Sequence, residues 1–339
     1  MSELLLDAQD LRAAYTDARG RSVVAVDDVS LQIREGEVLG IAGESGCGKS
    51  TLASVLSLTA RPPLRVLKGT LQVAGKAMDL GGSTQPPREW RGTVVSLLPQ
   101  GAMNSLSPTL RIRDFAFDIM RAHRKGIKRK EALQIAGDRL TGLGLPERVL
   151  AAYPHQLSGG MKQRVVTILS TLLDPSLLIA DEPTSALDVS SQRVLVEMLR
   201  EMVARKIISG VIFVTHDLPV LSSIADRLAI MYAGELVEVG PTRQIIDAPR
   251  HPYSAALLQS VLVPEPQVRR RRIPGIPGAP PNLLTPPSGC RFHPRCRLAS
   301  DRCRESVPPP VISPQSVAHC WWAKDHPDQS VPMEEVGSA

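Results

Sequence analysis

The segment Gly43-Glu44-Ser45-Gly46-Cys47-Gly48-Lys49-Ser50 sets glycines, a lysine and a hydroxyl at the spacing G-x-x-x-x-G-K-[ST]. Glycines let a loop curl so that successive backbone N–H groups point inward, and a helix opening at Lys49 adds about half a positive charge at its N-terminus. Such a loop cradles phosphate oxygens. Lys49 would reach the β and γ phosphates, and Ser50 would offer its hydroxyl to Mg2+, which keeps several waters and takes few protein ligands. The four fixed positions should match by chance in roughly one chain of this length in a hundred. Here they stand between an apolar strand-like run, EVLGIAG, and a helical pattern, the context the chemistry needs. Cys47 takes an unconstrained position and reads as a small residue that fits, with no resolving thiol beside it in the sequence.

A second segment, Leu177 to Glu182 (LLIADE), ends an apolar run in two acids. Asp181 would hold the Mg2+ shell through water. Glu182 would orient or deprotonate the attacking water, because phosphoryl transfer asks for positioning and charge stabilisation more than for covalent chemistry. Taken alone, the pattern is equally that of a strand ending in solvated acids; beside the phosphate loop it completes a site.

The elements that must position these groups alternate in type. Strand-like runs EVLGIAG, TVVSLLPQ, SLLIADEP and GVIFVTH are separated by helical patterns, the βα alternation of a mainly parallel sheet. In a helix expected over 190–206, Val194, Leu195, Met198, Leu199, Met202 and Val203 recur at helical spacing and should pack on that sheet. Residues 102–155 hold no comparable strand and carry the basic stretch HRKGIKRKEAL, so they read as a helical insertion. The regular α/β core should end near residue 260, since residues 261–339 hold 15 of the 29 prolines.

The octet LSGGMKQR, Leu157 to Arg164, resembles the signature motif of ABC-type ATPases, with the phosphate loop before it and LLIADEPTSALD after it. The remaining motifs fall in that family's order. Tyr15, 28 residues before Gly43, matches the aromatic that stacks on adenine, and Gln100 matches the Q-loop glutamine. Ser185 to Asp188 matches the D-loop, and His216 the switch histidine. The resemblance implies a P-loop ABC-type α/β fold: a mainly parallel core, an N-terminal antiparallel β subdomain and a helical signature subdomain at about 102–165, all within residues 1–260. It implies ATP held by Tyr15, Gly43, Ser45, Gly46, Cys47, Gly48, Lys49, Ser50, Thr51, Gln100 and Asp181, with Mg2+ on Ser50, Gln100 and Asp181. Lys49, Gln100, Glu182 and His216 would serve catalysis. Ser158, Gly159 and Gly160 open a helix and so present a second cluster of N–H donors. The resemblance implies a head-to-tail dimer in which these residues, with Gln163 nearby, close on the ATP held by the other subunit. ATP binding would close the pair and hydrolysis would open it, moving attached membrane subunits that dock near Gln100 and on Gly101 to Pro108.

His251-Pro252-Tyr253-Ser254, then AALLQSV, then a Pro-rich stretch ending GCRFHPRC, resemble the C-terminal extension of ATPase subunits of oligopeptide/dipeptide-type importers. The partners so implied are two permeases, a second related ATPase and an extracytoplasmic substrate-binding protein. Cargo stays open among peptides, oligosaccharides and nickel chelates, because such a subunit does not touch it. A soluble non-transport ABC ATPase is the competitor, disfavoured because one cassette without long coiled coils is present.

Cysteine spacing in the extension, C-x5-C-x6-C-x16-C, lacks the close pairs usual for structural zinc. Four thiolates are the usual complement of an iron–sulfur cluster, and the resemblance points to a [4Fe-4S] site at Cys290, Cys296, Cys303 and Cys320. Zinc and unmetallated thiols are the alternatives; His293 and His319 read as bystanders, and Arg291, Arg295, Arg297, Arg302 and Arg304 would offset thiolate charge.

No apolar run reaches about 18 residues, and the acidic N-terminal decapeptide is unlike a signal peptide. The expected location is the cytoplasmic face of the membrane, as a peripheral subunit. The net charge of +6 suits an anionic ligand or membrane surface, whereas 3% aromatic residues argue against single-strand stacking, so no nucleic acid is expected. The basic runs 121–130 and 269–272 read as solvated surface, with lipid headgroups as the sharper alternative.

Overall fold

A computed structural model of the chain describes residues 3–17, 19–82, 86–260, 275–314 and 316–333. Two sheets organise them. The first is antiparallel, in the order β2-β1-β4-β5, from β1 (Leu4–Thr16), β2 (Ser22–Arg34), β4 (Leu64–Val73) and β5 (Lys76–Asp79). The second has eight strands in the order β11-β12-β10-β9-β3-β8-β7-β6. Its parallel centre is β3 (Val38–Ala42), β6 (Val95–Leu98), β7 (Leu177–Asp181), β8 (Gly210–Val214) and β9 (Arg227–Tyr232). All residues of β3, β7 and β8 are buried, which is why these strands read as unbroken apolar runs rather than alternating ones.

The edge is antiparallel. It begins with β10 (Glu235–Pro241) and continues into β12 (Val317–His319) and β11 (Pro310–Ile312), so the Pro-rich extension adds two strands to the sheet beyond residue 260. Three apolar–polar residues per strand give no readable period. That is the physical reason the sequence did not reveal them.

The helices are α1 (Lys49–Leu56), α2 (Ile112–His123), α3 (Arg129–Gly142), α4 (Gly159–Ser170), α5 (Val189–Ala204), α6 (Leu218–Ile224), α7 (Thr242–Asp247), α8 (Pro252–Gln259), α9 (Asp301–Glu305) and α10 (Trp321–Asp325). Two cores lie on the two faces of the main sheet. In one, Leu52, Val55 and Leu56 of α1 pack with Ile41, Ile179 and Ile212 of the sheet and with Leu11 and Val26 of the antiparallel sheet. Truncating such a leucine to alanine would cost about 2–5 kcal/mol. The other core packs α2 to α8 on the opposite face and takes in Phe292 from the extension.

The described residues of 102–165 contain helices and 3-10 turns but no strand. In its basic stretch Arg121 pairs with Asp118 at 3.3 Å, Arg124 with Asp174 at 3.6 Å, and Arg129 with Asp114. Helix α5 buries Leu195, Val196, Met198, Leu199 and Met202, whereas Val194 is 40% exposed. Successive residues turn about 100°, so Val194 falls beyond the edge of the arc centred on Leu195 and Leu199. Arg269 to Arg272 lie outside the described residues. Among the described residues, no helix is long and apolar enough to cross a membrane.

Candidate functional site

Three parallel strands deliver the site from their carboxyl ends, the side on which open α/β sheets bind ligands. Strand β3 runs into the phosphate loop, β7 ends at Asp181 with Glu182 next in the chain, and β8 leads to Thr215 and His216. Two glycines of the loop are obligatory for geometric reasons. Gly43 has φ 154°, and a Cβ there would lie 2.2 Å from the Met231 carbonyl oxygen. Gly48 caps α1 with φ 112°, and a Cβ there would lie 2.1 Å from the Ala25 carbonyl oxygen.

The Lys49 ammonium is buried and donates to the carbonyls of Gly43 at 2.7 Å and Glu44 at 3.0 Å, so it lies across the loop that would hold phosphates. The Ser50 hydroxyl donates to Asp181 at 3.1 Å, which joins the loop to the end of β7. Burial pushes the Asp181 carboxyl up, against the pull of Ser50 and Lys49. Cys47 is buried and its thiol is also pushed up by burial, so it behaves as a packing residue of the loop.

Glu182 sits at φ 49° on a non-glycine residue, a strained conformation of the kind that costs about 1–3 kcal/mol and gathers at functional sites. Its carboxylate accepts from the Thr215 hydroxyl at 3.2 Å and lies 2.8 Å from His216 Nδ1. One cavity of about 560 Å3 is lined by Tyr15, the loop residues Ser45, Gly46, Gly48, Lys49, Ser50 and Thr51, and Gln100, Glu182 and His216. The Tyr15 hydroxyl is 3.2 Å from that of Thr51. A volume of that size suits a nucleotide.

Several groups escaped sequence reasoning. Val23 and Ala25 of β2 and Leu283 of the extension also line the cavity; none belongs to a motif. Thr215, beside the histidine, clamps the second oxygen of Glu182. The signature residues lie elsewhere: Ser158 caps α4 by accepting from the Met161 N–H at 3.3 Å, and Ser158, Gly159 and Gly160 are not among the residues lining this cavity. Gln163 is 3% exposed, buried on the inner side of α4, so it offers little surface beside them. Asp188 caps α5, and its hydrogen bonds from Ser190 and Ser191 hold its carboxyl down to about 2.

In the extension, all four cysteines are free thiols. Burial, reinforced by the charges of neighbouring cysteines, pushes Cys290, Cys296 and Cys320 up to about 12. Among the described residues, no three Cys, His, Asp or Glu side chains converge into a group that would hold a metal ion, so the expected cysteine site is not seen as a formed metal centre. His293 Nδ1 is 3.0 Å from the Cys290 carbonyl oxygen.

A glycine-rich G-x-x-x-x-G-K-S loop facing a carboxylate at the end of a buried strand is the arrangement of P-loop nucleoside triphosphatases, and the LSGGMKQR motif at the start of α4 narrows the class to ABC-type ATPases. The ABC transporter family pattern matches residues 26–185, and that of the oligopeptide/dipeptide transporter C-terminal region matches 237–303. The chain is 42% identical over 307 residues to the dipeptide transport ATP-binding protein DppD of Caldanaerobacter subterraneus subsp. tengcongensis, covering 90% of this chain and 92% of that protein. It is 37% identical over 327 residues to the oligopeptide transport ATP-binding protein OppD of Salmonella typhimurium, covering 94% of each. In fold it resembles the dimeric ATP-binding cassette MJ0796 bound to ADP and Pi, with a TM-score of 0.59 and 23% identity over 70% of this chain and 99% of that one. The chain belongs to the ABC transporter ATP-binding subunits of the dipeptide/oligopeptide type, a family of ATP hydrolases coupled to transport.

Proposed function

We propose that this chain binds and hydrolyses MgATP at a head-to-tail dimer interface and thereby powers import of dipeptides or oligopeptides. The observation that carries the catalytic half is the Glu182 carboxylate, clamped by Thr215 and beside His216, on the cavity that the phosphate loop also lines. Hard oxygen donors at Ser50 and Asp181 fit Mg2+, and Gln100 lines the cavity that Ser50 also lines. Tyr15 would stack on the adenine; the loop from Gly43 to Thr51 would hold the triphosphate. Ser158, Gly159 and Gly160 at the start of α4 would close on the nucleotide of a second, related ATPase subunit, with Gln163 nearby.

The peptide cargo rests on the names of the relatives. The subunit would dock from the cytoplasmic face on two permeases through Gln100 and Gly101 to Pro108, a stretch that includes the 3-10 turn Ala102–Ser105, with a binding protein delivering cargo outside. Residues 1–260 would form the nucleotide-binding domain, with its helical subdomain at about 102–165, and 261–339 the extension.

We further propose a [4Fe-4S] cluster on Cys290, Cys296, Cys303 and Cys320. Four free thiols within electrostatic reach of one another are the donor set such a cluster takes, and because its thiolates bind different iron atoms they stand further apart than the ligands of one ion. Its contribution would be structural, ordering a segment poor in apolar residues.

The test is an affinity pull-down in detergent from native membranes, with mass spectrometry of proteins and of small molecules retained by a co-purified binding protein. Recovery of two permeases, a second ATPase and peptide supports the reading. A retained sugar or nickel chelate changes the cargo, and recovery of no membrane protein overturns the transport role.

A further inference from the structure

The loop between Cys290 and Cys296 reaches back to the nucleotide site. Arg295 is buried, and its guanidinium grips the Glu44 carboxylate with both nitrogens, Nη1 to Oε2 at 2.6 Å and Nη2 to Oε1 at 3.0 Å. Glu44 is the first variable residue of the phosphate loop, and Lys49 Nζ donates to its carbonyl at 3.0 Å. The Glu44 backbone N–H donates to the Tyr253 hydroxyl at 2.8 Å. Arg295 is itself fixed: Nε donates to the Pro277 carbonyl at 2.7 Å, and Nη1 is 3.3 Å from the Tyr232 hydroxyl. Phe292 packs edge-on against Tyr232 and Tyr253, with centroids 5.2 and 5.3 Å apart, so the loop is seated on the core beneath the phosphate site. Arg291 binds Asp27 on β2 and Glu235 on β10, bracing the same loop from the other side.

The geometry points to Arg295 as a positioning residue for MgATP, acting through Glu44 to hold the phosphate loop in its binding shape. A bidentate charge-assisted pair fixes both the position and the plane of a carboxylate, which a single contact does not. Because Glu44 also donates its N–H to Tyr253 and its carbonyl accepts from Lys49, holding its side chain restricts the loop from which phosphate would be bound. Leu283, from the same extension, lines the cavity beside Tyr15 and Val23. The extension is thus a structural part of the nucleotide site. This inference rests on the ATP-binding reading above.

The test measures the dissociation constant of MgATP, and kcat separately from KM, in full-length wild type, Arg295→Ala, Arg295→Lys, Glu44→Gln and the Arg295→Ala/Glu44→Gln double variant. Arg295→Ala should weaken MgATP binding about three- to tenfold with a smaller change in kcat, and lysine, which keeps the charge but not the fork, should restore only part. The double variant should be no weaker than the worse single one, because both changes cut the same link. Equal affinity in Arg295→Ala, or independent losses that multiply in the double variant, would overturn the inference. Glu44→Gln leaves the extension's own residues intact, so it answers the question if Arg295→Ala fails to fold. A second readout is local: by reciprocity, MgATP should slow amide exchange over residues 290–297 in wild type and not in Arg295→Ala. Absence of MgATP binding in wild type would instead defeat the ATP reading itself.

Discussion

His216 Nδ1 lies 2.8 Å from a carboxylate oxygen of Glu182, while Thr215, the residue before the histidine, donates to the other oxygen. One strand end, that of β8, therefore contacts both oxygens of the acid that follows β7. In the proposed function, a carboxylate held at both oxygens would be positioned towards a water in the cavity, as phosphoryl transfer requires.

Glu182→Gln should bind MgATP and hydrolyse it about 10²–10⁴-fold more slowly, the usual worth of a general base. Phosphate release under saturating ATP measures this, and sizing in MgATP should show a more persistent dimer. Turnover near the wild-type rate would remove Glu182 from the catalytic role.

Lys49→Ala removes a buried ammonium from the phosphate loop. Charge-assisted hydrogen bonds are worth about 1.5–3 kcal/mol each, so MgATP affinity should fall at least tenfold. Equilibrium titration with a fluorescent nucleotide reads it; undiminished affinity would contradict the assignment of the loop.

Gly48→Ala should disrupt the loop and the start of α1 together. The added Cβ would meet the Ala25 carbonyl at 2.1 Å while φ stays at 112°, and strain of this kind costs about 1–3 kcal/mol before any clash is counted. Thermal unfolding should show a lowered Tm, and an unchanged Tm with normal nucleotide binding would contradict the geometry.

Stability should fall in acid through His251. Burial depresses its imidazole from 6.5 to about 3, and its Nδ1 accepts from the Tyr253 N–H at 3.0 Å, which requires the neutral ring. Between those two values the unfolded chain binds one more proton than the folded chain. The contribution is therefore fully present above pH 6.5 and is lost at up to about 1.4 kcal/mol per unit as the pH falls towards 3. Urea unfolding at several pH values should show this slope, and His251→Asn should flatten it; an equal slope in that variant would assign the acid sensitivity to other groups.

Iron and acid-labile sulfide should accompany the protein through anaerobic purification, and Cys296→Ser should lose both. Stoichiometric zinc without sulfide would replace the cluster by a single-ion site.

Contiguous segments spoke for themselves in the sequence. The phosphate loop, the LLIADE strand, the signature and the alternation of β3, β6, β7 and β8 with helices depend on local backbone geometry and on burial of whole strands, and both leave marks within about ten residues.

What only the tertiary structure decided are relations between distant positions. Glu44 and Arg295 are 251 residues apart, and neither residue type at its own place announces the other. The addition of β12 and β11 to the edge at β10, the presence of Leu283 at the nucleotide cavity and the exposure of Val194 have the same origin. Each is set by how finished elements pack, and a packing partner chosen from the far end of a chain leaves no periodicity, spacing or composition to read.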